Sequence, residues 1–424
     1  MMTDRWLAGL DGRQAQRHGF QVTARLDGGR GGRAGVIATP HGDIDTPAFI
    51  PVGTKASVKA MLPADVRRIG AQAVLANAFH LYLQPGPDVI YEAGGLAAFM
   101  GWDGPTFTDS GGFQVMSLGA GFKKTIEMTV DDLPASDTAT AGRRRLSRVD
   151  EDGVNFISPL DGSSHRFEPE TSIELQWRFG ADIMFAFDEL TTLRNTRPYQ
   201  EGAVARTQRW AQRCLKARAA CSQLVPDKPY QALFGVVQGA QYEDLRRLAC
   251  RDLAATRDAD GAAFDGYGIG GALEKTMIGT IVGWCTDELP EDKPRHLLGI
   301  SEPEDLFAAV EAGADTFDCV NPSRVARNAA IYTARGRYNI TNARFKRDFD
   351  PLEDGCQCAT CTGFTRAYVH HLFKAHELLA NTLATIHNEY FTVKLVDDMR
   401  AAIIAGCFDE FRDQWLGRWQ PRLP

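Results

Sequence analysis

The sequence predicts an α/β protein built on a closed (β/α)8 barrel, and three observations carry that prediction. Eight short apolar runs rich in β-branched residues recur between residues 47 and 322, each stopping abruptly at glycine or a polar residue. Several are followed by segments with the apolar spacing of an amphipathic helix. The run ends carry Asn77, Asp109-Ser110, Asp188-Glu189, Gln238, Gly270-Gly271, Gly299 and Asp318. Barrel enzymes gather their chemistry at the C-terminal ends of the strands, and packing alone does not call for polar groups there. An open, doubly wound sheet is the alternative topology.

Taken in order, residues 1–35 form a polar, Gly- and Arg-rich arm, loosely held, with one short strand at QVTARL. The barrel spans 36–340. Its runs are PAFIPVG (47–53), AQAVLANAF (71–79), PTFTDSGG (105–112), ADIMFAFDE (181–189), ALFGVVQG (232–239), GYGIGG (266–271), RHLLGIS (295–301) and DTFDCVNP (315–322). Among the helices, EPETSIELQWRFG is entered through Glu168-Pro169, and EPEDLFAAVEAGA has Ser301 as its cap with Glu304 in the capping-box position. Residues 119–157 lack clear periodicity and read as an exposed surface insertion, with an RNA-contacting loop as the alternative because of Arg143-Arg144-Arg145. Residues 341–424 hold a cysteine cluster and long helical segments.

Composition narrows the class. Of 424 residues 44% are hydrophobic and 24% charged, as in an ordinary globular protein and unlike a disordered or low-complexity one. No stretch approaches the ~20 apolar residues of a membrane span. Residues 1–20 have scattered charges and no apolar centre, so no secretory signal is expected, and the cytoplasm is the expected compartment. A net charge of −7 argues against coating nucleic acid along the whole length, though not against a local basic site. Cys214, Cys221, Cys250, Cys285, Cys319 and Cys407 stand singly and read as small buried hydrophobes.

The sharpest local signal is Cys356-Gln-Cys358-Ala-Thr-Cys361. Three thiolates within six residues can turn toward one tetrahedral ion, and a histidine closes the set, with His370, His371, His376 and His387 as candidates. Cys3His is a closed, structural zinc pattern with no position left for substrate. The fold class is therefore a (β/α)8 TIM barrel with an inserted or appended zinc-binding subdomain.

A second signal is the carboxylate pair at strand ends, Asp109 and Asp318. Substitution at a sugar C1′ passes through an oxocarbenium-like state, in which one carboxylate acts as nucleophile and the other moves protons. Ser110-Gly111-Gly112 lets the backbone approach a flat ligand. Asp188, Gln238 and the Gly270-Gly271 backbone suit the edge of a heterocycle: a carboxylate for N–H groups, an amide for a carbonyl. Phe113 is a stacking candidate or simply core. A third signal is the run 321–347, with seven Arg or Lys and no acid beside Asp318. It suits a phosphate backbone. Its interleaved Tyr332, Tyr338 and Phe345 are compatible with RNA and equally with a β-ribbon packed on the barrel.

Together TDSGGFQVMSL, FISPLDGS, ADIMFAFDE, FGVVQG, FDGYGIGG, FDCVNPSR with ARN, and CxCxxC resemble the bacterial type of tRNA-guanine transglycosylase (queuine tRNA-ribosyltransferase), over residues 20–415. The resemblance implies a homodimeric (β/α)8 pentosyltransferase. Such an enzyme exchanges guanine at wobble position 34 of tRNAs with GUN anticodons for a 7-deazaguanine, through a covalent Asp–ribose intermediate in queuosine biosynthesis. It makes Asp318 the nucleophile and Asp109 the general acid/base. Asp109, Ser110, Gly111, Gly112, Asp188, Gln238 and Gly271 would hold the base, with Phe113 and Leu298 sandwiching it. Gly299, Ser301, Ser323, Arg324 and Arg327 would contact the anticodon loop, and Cys356, Cys358, Cys361 and His387 would hold Zn2+. 7-Aminomethyl-7-deazaguanine is the expected incoming base, with queuine and the 7-cyano base as alternatives. The chain departs from the pattern at Ala272-Leu273-Glu274-Lys275, at Leu190 and in the length of 119–157. A non-catalytic RNA-binding partner subunit and a sugar-hydrolysing barrel are the readings outside this class. The intact carboxylate pair weighs against the first, the basic run and the cysteine cluster against the second.

Overall fold

The structure is a computed structural model and describes residues 10–117, 147–420 and 423. Arg143–Arg145 and most of the 119–157 insertion lie outside the described residues. Strands β1 (Gly19–Arg25), β2 (Arg33–Thr39) and β3 (Gly42–Thr46) form an antiparallel sheet. This part of the chain is held more firmly than its composition implied. Arg33 is fully buried, forks onto Asp315 at 2.9 and 2.8 Å, and donates to the Glu291 and Lys293 carbonyls.

Eight parallel strands follow: β4 (Ala48–Pro51), β5 (Val74–Ala76), β6 (Thr106–Thr108), then β10 (Ile183–Phe185), β11 (Ala232–Val237), β12 (Gly266–Ile269), β13 (Arg295–Leu297) and β14 (Thr316–Cys319). Each lies within one of the eight apolar runs. Their order is β4-β14-β13-β12-β11-β10-β6-β5, and the parallel bridge Val52–Leu75 with the Gly53 N–H to Leu75 carbonyl bond (2.7 Å) brings the ends together. The sheet is a barrel. Ile50, Phe107, Ile183, Phe185, Phe234 and Val236 fill its interior. A larger apolar layer lies between strands and helices, so most strand residues are buried on both faces and read as unbroken apolar runs.

Between β6 and β10 the structure differs from the unpatterned insertion expected. β7 (Ser147–Val149), β8 (Val154–Ile157) and β9 (Ser164–Phe167) make a small antiparallel sheet. Val154 and Phe156 are buried on either side of exposed Asn155, a period-2 pattern too short to stand out in sequence.

Helix α1 (Pro169–Phe179) starts at the expected Glu168-Pro169 and ends at Gly180 in the left-handed region, φ +72°. Helices α2 (Glu243–Ala255) and α3 (Pro303–Ala312) follow β11 and β13. Ser301 does not cap α3. Glu302 takes the cap position without a side-chain bond to the helix, Ser301 is buried, and Glu304 accepts instead from the Trp419 indole at 2.5 Å. After β14 come α4 (Asn321–Ala326) and the hairpin β15 (Ala330–Thr333) and β16 (Gly336–Asn339). Tyr332, Tyr338 and Phe345 are buried in this hairpin and its flank, so they are core and not a stacking platform. Helix α5 (Leu378–Ile404) packs against β4, α4 and β15, and Arg400 ties it to the Asp45 and Pro47 carbonyls at 3.1 and 2.9 Å. Helix α6 (Phe408–Leu416) is the last described helix, with Cys407 exposed at its start, unlike the buried cysteines Cys214, Cys221, Cys250 and Cys285. Among the described residues no helix is long and apolar enough to cross a membrane.

Candidate active site and metal cluster

Asp109 follows β6 directly, so strand geometry sets it at the C-terminal mouth of the barrel. Its Oδ1 accepts from the Ala78 N–H (2.9 Å) and the Gly111 N–H (3.2 Å), and Oδ2 accepts from the Asn77 amide. Asn77 is fixed in turn because its Oδ1 caps the helix Ala78–Leu83. The tight turn after Asp109 needs glycine: Gly111 has φ +77°, and a β-carbon there would stand 3.2 Å from the Phe79 nitrogen. Burial, reinforced by the charge of Asp318, pushes the Asp109 carboxyl up to about 7 despite three opposing donors. Near neutral pH this group can both give and take a proton.

Asp318 stands in the same mouth, in β14. One oxygen, Oδ1, accepts from His296 Nε2 (3.1 Å) and from the Gly299 N–H (3.0 Å). His296 belongs to the neighbouring strand β13 and is fully buried against Phe107 and Phe185. The parallel register pairs His296 with Thr316, which brings the ring under the carboxylate two residues on. Sequence reading did not single out His296, since it lies in an apolar run like any packed histidine; only the register of β13 on β14 reveals its partner.

The mouths of β10–β12 add further polar groups beside these carboxylates. Asp188 is buried; its Oδ2 accepts from Gln238 Nε2 (2.6 Å) and its Oδ1 from the Ser110 hydroxyl (3.3 Å). Burial pushes this carboxyl up to about 6, and the two donors hold it back from rising further. Gln238 Oε1 is buried without a partner among the described residues. Gly271 (φ +92°) leaves room there: a β-carbon would lie 2.7 Å from that oxygen. Arg246 of α2, also absent from the sequence candidates, donates to the Ala240, Val237 and Gly270 carbonyls at 2.8, 3.0 and 2.7 Å. It thereby fixes the strand ends that present Gln238 and Gly271. Gly112 donates to Ser110 Oγ at 3.2 Å. Phe113 is 43% exposed, and Leu298 is half-buried with its tip over Gly268.

The basic segment lies beside Asp318. Gly299 and Arg324 are exposed, and Arg327 is half-buried with its Nε on the Ser323 carbonyl at 3.0 Å. Ser301 and Ser323 are buried. Asn388 of α5 holds the segment: it donates to the Pro322 and Ala330 carbonyls (3.2 and 2.9 Å) and accepts from the Tyr332 N–H (3.0 Å).

One residue earlier, His387 meets the cysteine cluster. The ligand atoms of Cys356, Cys358, Cys361 and His387 lie within 4.8 Å of one another, and Nδ1 is 3.7, 3.5 and 3.3 Å from the three sulfurs. Those spacings fit the edges of a tetrahedron around an ion with bonds of about 2.3 Å to sulfur and 2.0 Å to nitrogen. His387 Nε2 bonds the Tyr332 carbonyl at 2.7 Å, which puts its hydrogen there and leaves Nδ1 free to ligate. His370 is not among the residues grouped there; its Nδ1 bonds the Ile340 carbonyl at 2.8 Å.

Comparison with known proteins now bears on this geometry. The family model described as queuine tRNA-ribosyltransferase matches residues 27–421. The chain belongs to the queuine tRNA-ribosyltransferase family. It is 44% identical over 404 residues to the queuine tRNA-ribosyltransferase of Pelotomaculum thermopropionicum, covering 95% of this chain and 98% of that one. It is also 43% identical to relatives of that name from Herpetosiphon aurantiacus (92% and 90% covered) and Roseiflexus sp. (94% and 99%). As a member of this family the chain is a pentosyltransferase.

Proposed function

We propose that this enzyme exchanges the guanine at position 34 of tRNAs with GUN anticodons for a 7-deazaguanine, 7-aminomethyl-7-deazaguanine foremost, by double displacement at ribose C1′. The observation that carries the reading is the carboxylate pair in one barrel mouth: Asp318 ordered through one oxygen, and Asp109 with its carboxyl at about 7. Asp318 attacks C1′ and the C1′–N9 bond breaks, while Asp109 protonates the departing base. Asp109, now ionised, takes the proton of the incoming base, whose N9 attacks C1′ and returns the electron pair to Asp318. Asp188, Gln238, Ser110, Gly112 and the Gly271 backbone hold the base edge, with Phe113 and Leu298 on its two faces. Gly299, Arg324 and Arg327 line the path of the anticodon loop, with Ser301 and Ser323 buried beneath that surface.

Cys356, Cys358, Cys361 and His387 hold one zinc ion, which cross-links the cysteine loop to α5 and takes no part in the exchange. A homodimer and the cytoplasm complete the proposal. The test is radiolabelled guanine exchange into a GUN-anticodon tRNA by wild type and Asp318→Ala, with each deazaguanine as competitor. Exchange lost only in the variant supports the nucleophile, and the best competitor names the base. Exchange retained by Asp318→Ala overturns the mechanism.

A further inference from the structure

We infer that His296 is a positioning residue for the nucleophile, holding one oxygen of Asp318 so that the other attacks and the carboxylate leaves readily in the second step. The inference rests on the reading of Asp318 as nucleophile. Both hydrogen bonds to this side chain, from His296 Nε2 at 3.1 Å and the Gly299 N–H at 3.0 Å, fall on Oδ1. Oδ2 accepts none among the described residues. The attacking atom is therefore Oδ2, and Oδ1 becomes the carbonyl oxygen of the glycosyl ester.

The direction of the His296 bond is set by the carboxylate it meets. An ionised carboxylate has no hydrogen to give, so the hydrogen between the two groups sits on Nε2. Nδ1 then accepts from the hydroxyl of Thr316, 2.8 Å away and fully buried. The Thr316 hydroxyl, which turns to give or accept a hydrogen, satisfies that nitrogen and steadies the ring. Phe107 and Phe185, with ring centroids at 5.7 and 5.0 Å, fix the plane of the imidazole.

Two N–H donors on one carboxylate oxygen stabilise the anion more than the neutral ester. They therefore favour breaking of the C1′–Oδ2 bond, in which the electron pair returns to the carboxylate, over its formation. Removing one donor shifts the internal equilibrium toward the covalent adduct. A charge-assisted hydrogen bond of this kind corresponds to a shift of roughly 10- to 100-fold.

The experiment uses the full-length enzyme with a GUN-anticodon tRNA. It reads the fraction of protein in a denaturation-resistant adduct, the rate at which added guanine resolves that adduct, and KM for tRNA. In His296→Phe, whose ring suits the aromatic surroundings, adduct fraction rises and resolution slows by roughly 10-fold or more, with KM for tRNA unchanged. His296→Gln, which can place an amide N–H near the Nε2 position, returns the partition toward wild type. Thr316→Val leaves the imidazole in place and moves the partition in the same direction as His296→Phe. A purely structural role for the histidine would lower adduct and turnover together. An adduct fraction that is unchanged or reduced in His296→Phe overturns the inference. If that variant does not fold, an unchanged partition in Thr316→Val does the same. Asp318→Ala, run alongside, separates the cases: adduct in that variant removes the nucleophile reading itself, whereas its absence with a wild-type partition in His296→Phe removes only the role of the histidine.

Discussion

Asp109 sits where burial and catalysis make opposite demands. Its carboxyl is raised to about 7, so the fold favours the uncharged form. The unfolded chain ionises near the ordinary carboxylate value. The stability contribution is therefore present below that value and is lost as pH rises toward 7. Asp109→Asn should abolish exchange yet be more stable than wild type at pH 8, by about 4 kcal/mol, with little such gain at pH 4. Thermal unfolding at the two pH values checks this. Single-turnover adduct formation, which needs the protonated acid, should fall as pH rises through about 7. Gly271→Ala tests the pocket. With φ +92° and a new carbon 2.7 Å from Gln238 Oε1, it should raise KM for the free base at least about 10-fold while leaving tRNA affinity intact. At this scale the sequence was half legible. Asp109, Asp188, Gln238 and Asp318 announce themselves as polar residues that end apolar strands. Asn77 stands among them, though its hold on Asp109 does not show; His296 and Arg246 went unseen, because what they hold depends on how strands and helix pack, which is not written in any one segment.

Helix α5 brings two tasks into one turn. His387 faces the cysteine cluster, while Asn388 binds Pro322, Ala330 and Tyr332 around the basic segment after Asp318. Removing the metal should therefore lower thermal stability and tRNA affinity together; a metal-free enzyme with wild-type values of both would contradict the zinc assignment. Asn388→Ala removes the side chain that bonds two carbonyls and the Tyr332 N–H in a buried setting and should destabilise by about 2 kcal/mol. Its metal content should stay at wild type, as measured by metal analysis and denaturant unfolding. The eight barrel strands were legible because burial on both faces writes them as continuous apolar runs. The β7–β9 sheet was not, since strands of three or four residues give too few alternations to register. CxCxxC was plain; spacing alone left four histidines open, the family resemblance named His387, and it is the one that faces the sulfurs.

The whole molecule is bound together by contacts between its ends. Arg33 and Asp315, both fully buried, join the N-terminal sheet to the last barrel strand, and Asp315→Ala should destabilise by roughly 3–5 kcal/mol because it leaves the guanidinium without its counter-charge. Denaturant unfolding of the variant measures that loss. β4 shows the same closure from the other side: its lateral partner is β14, and its cover is α5. A ribosome making this chain releases β4 within the first sixty residues but supplies its neighbour only after residue 316 and its cover only after 378. Through most of translation the opening strand is an unguarded edge, and the barrel cannot shut until nearly the whole polypeptide has emerged. Nascent chains arrested before α5 should stay protease-sensitive and prone to clumping, and those arrested beyond α6 should not.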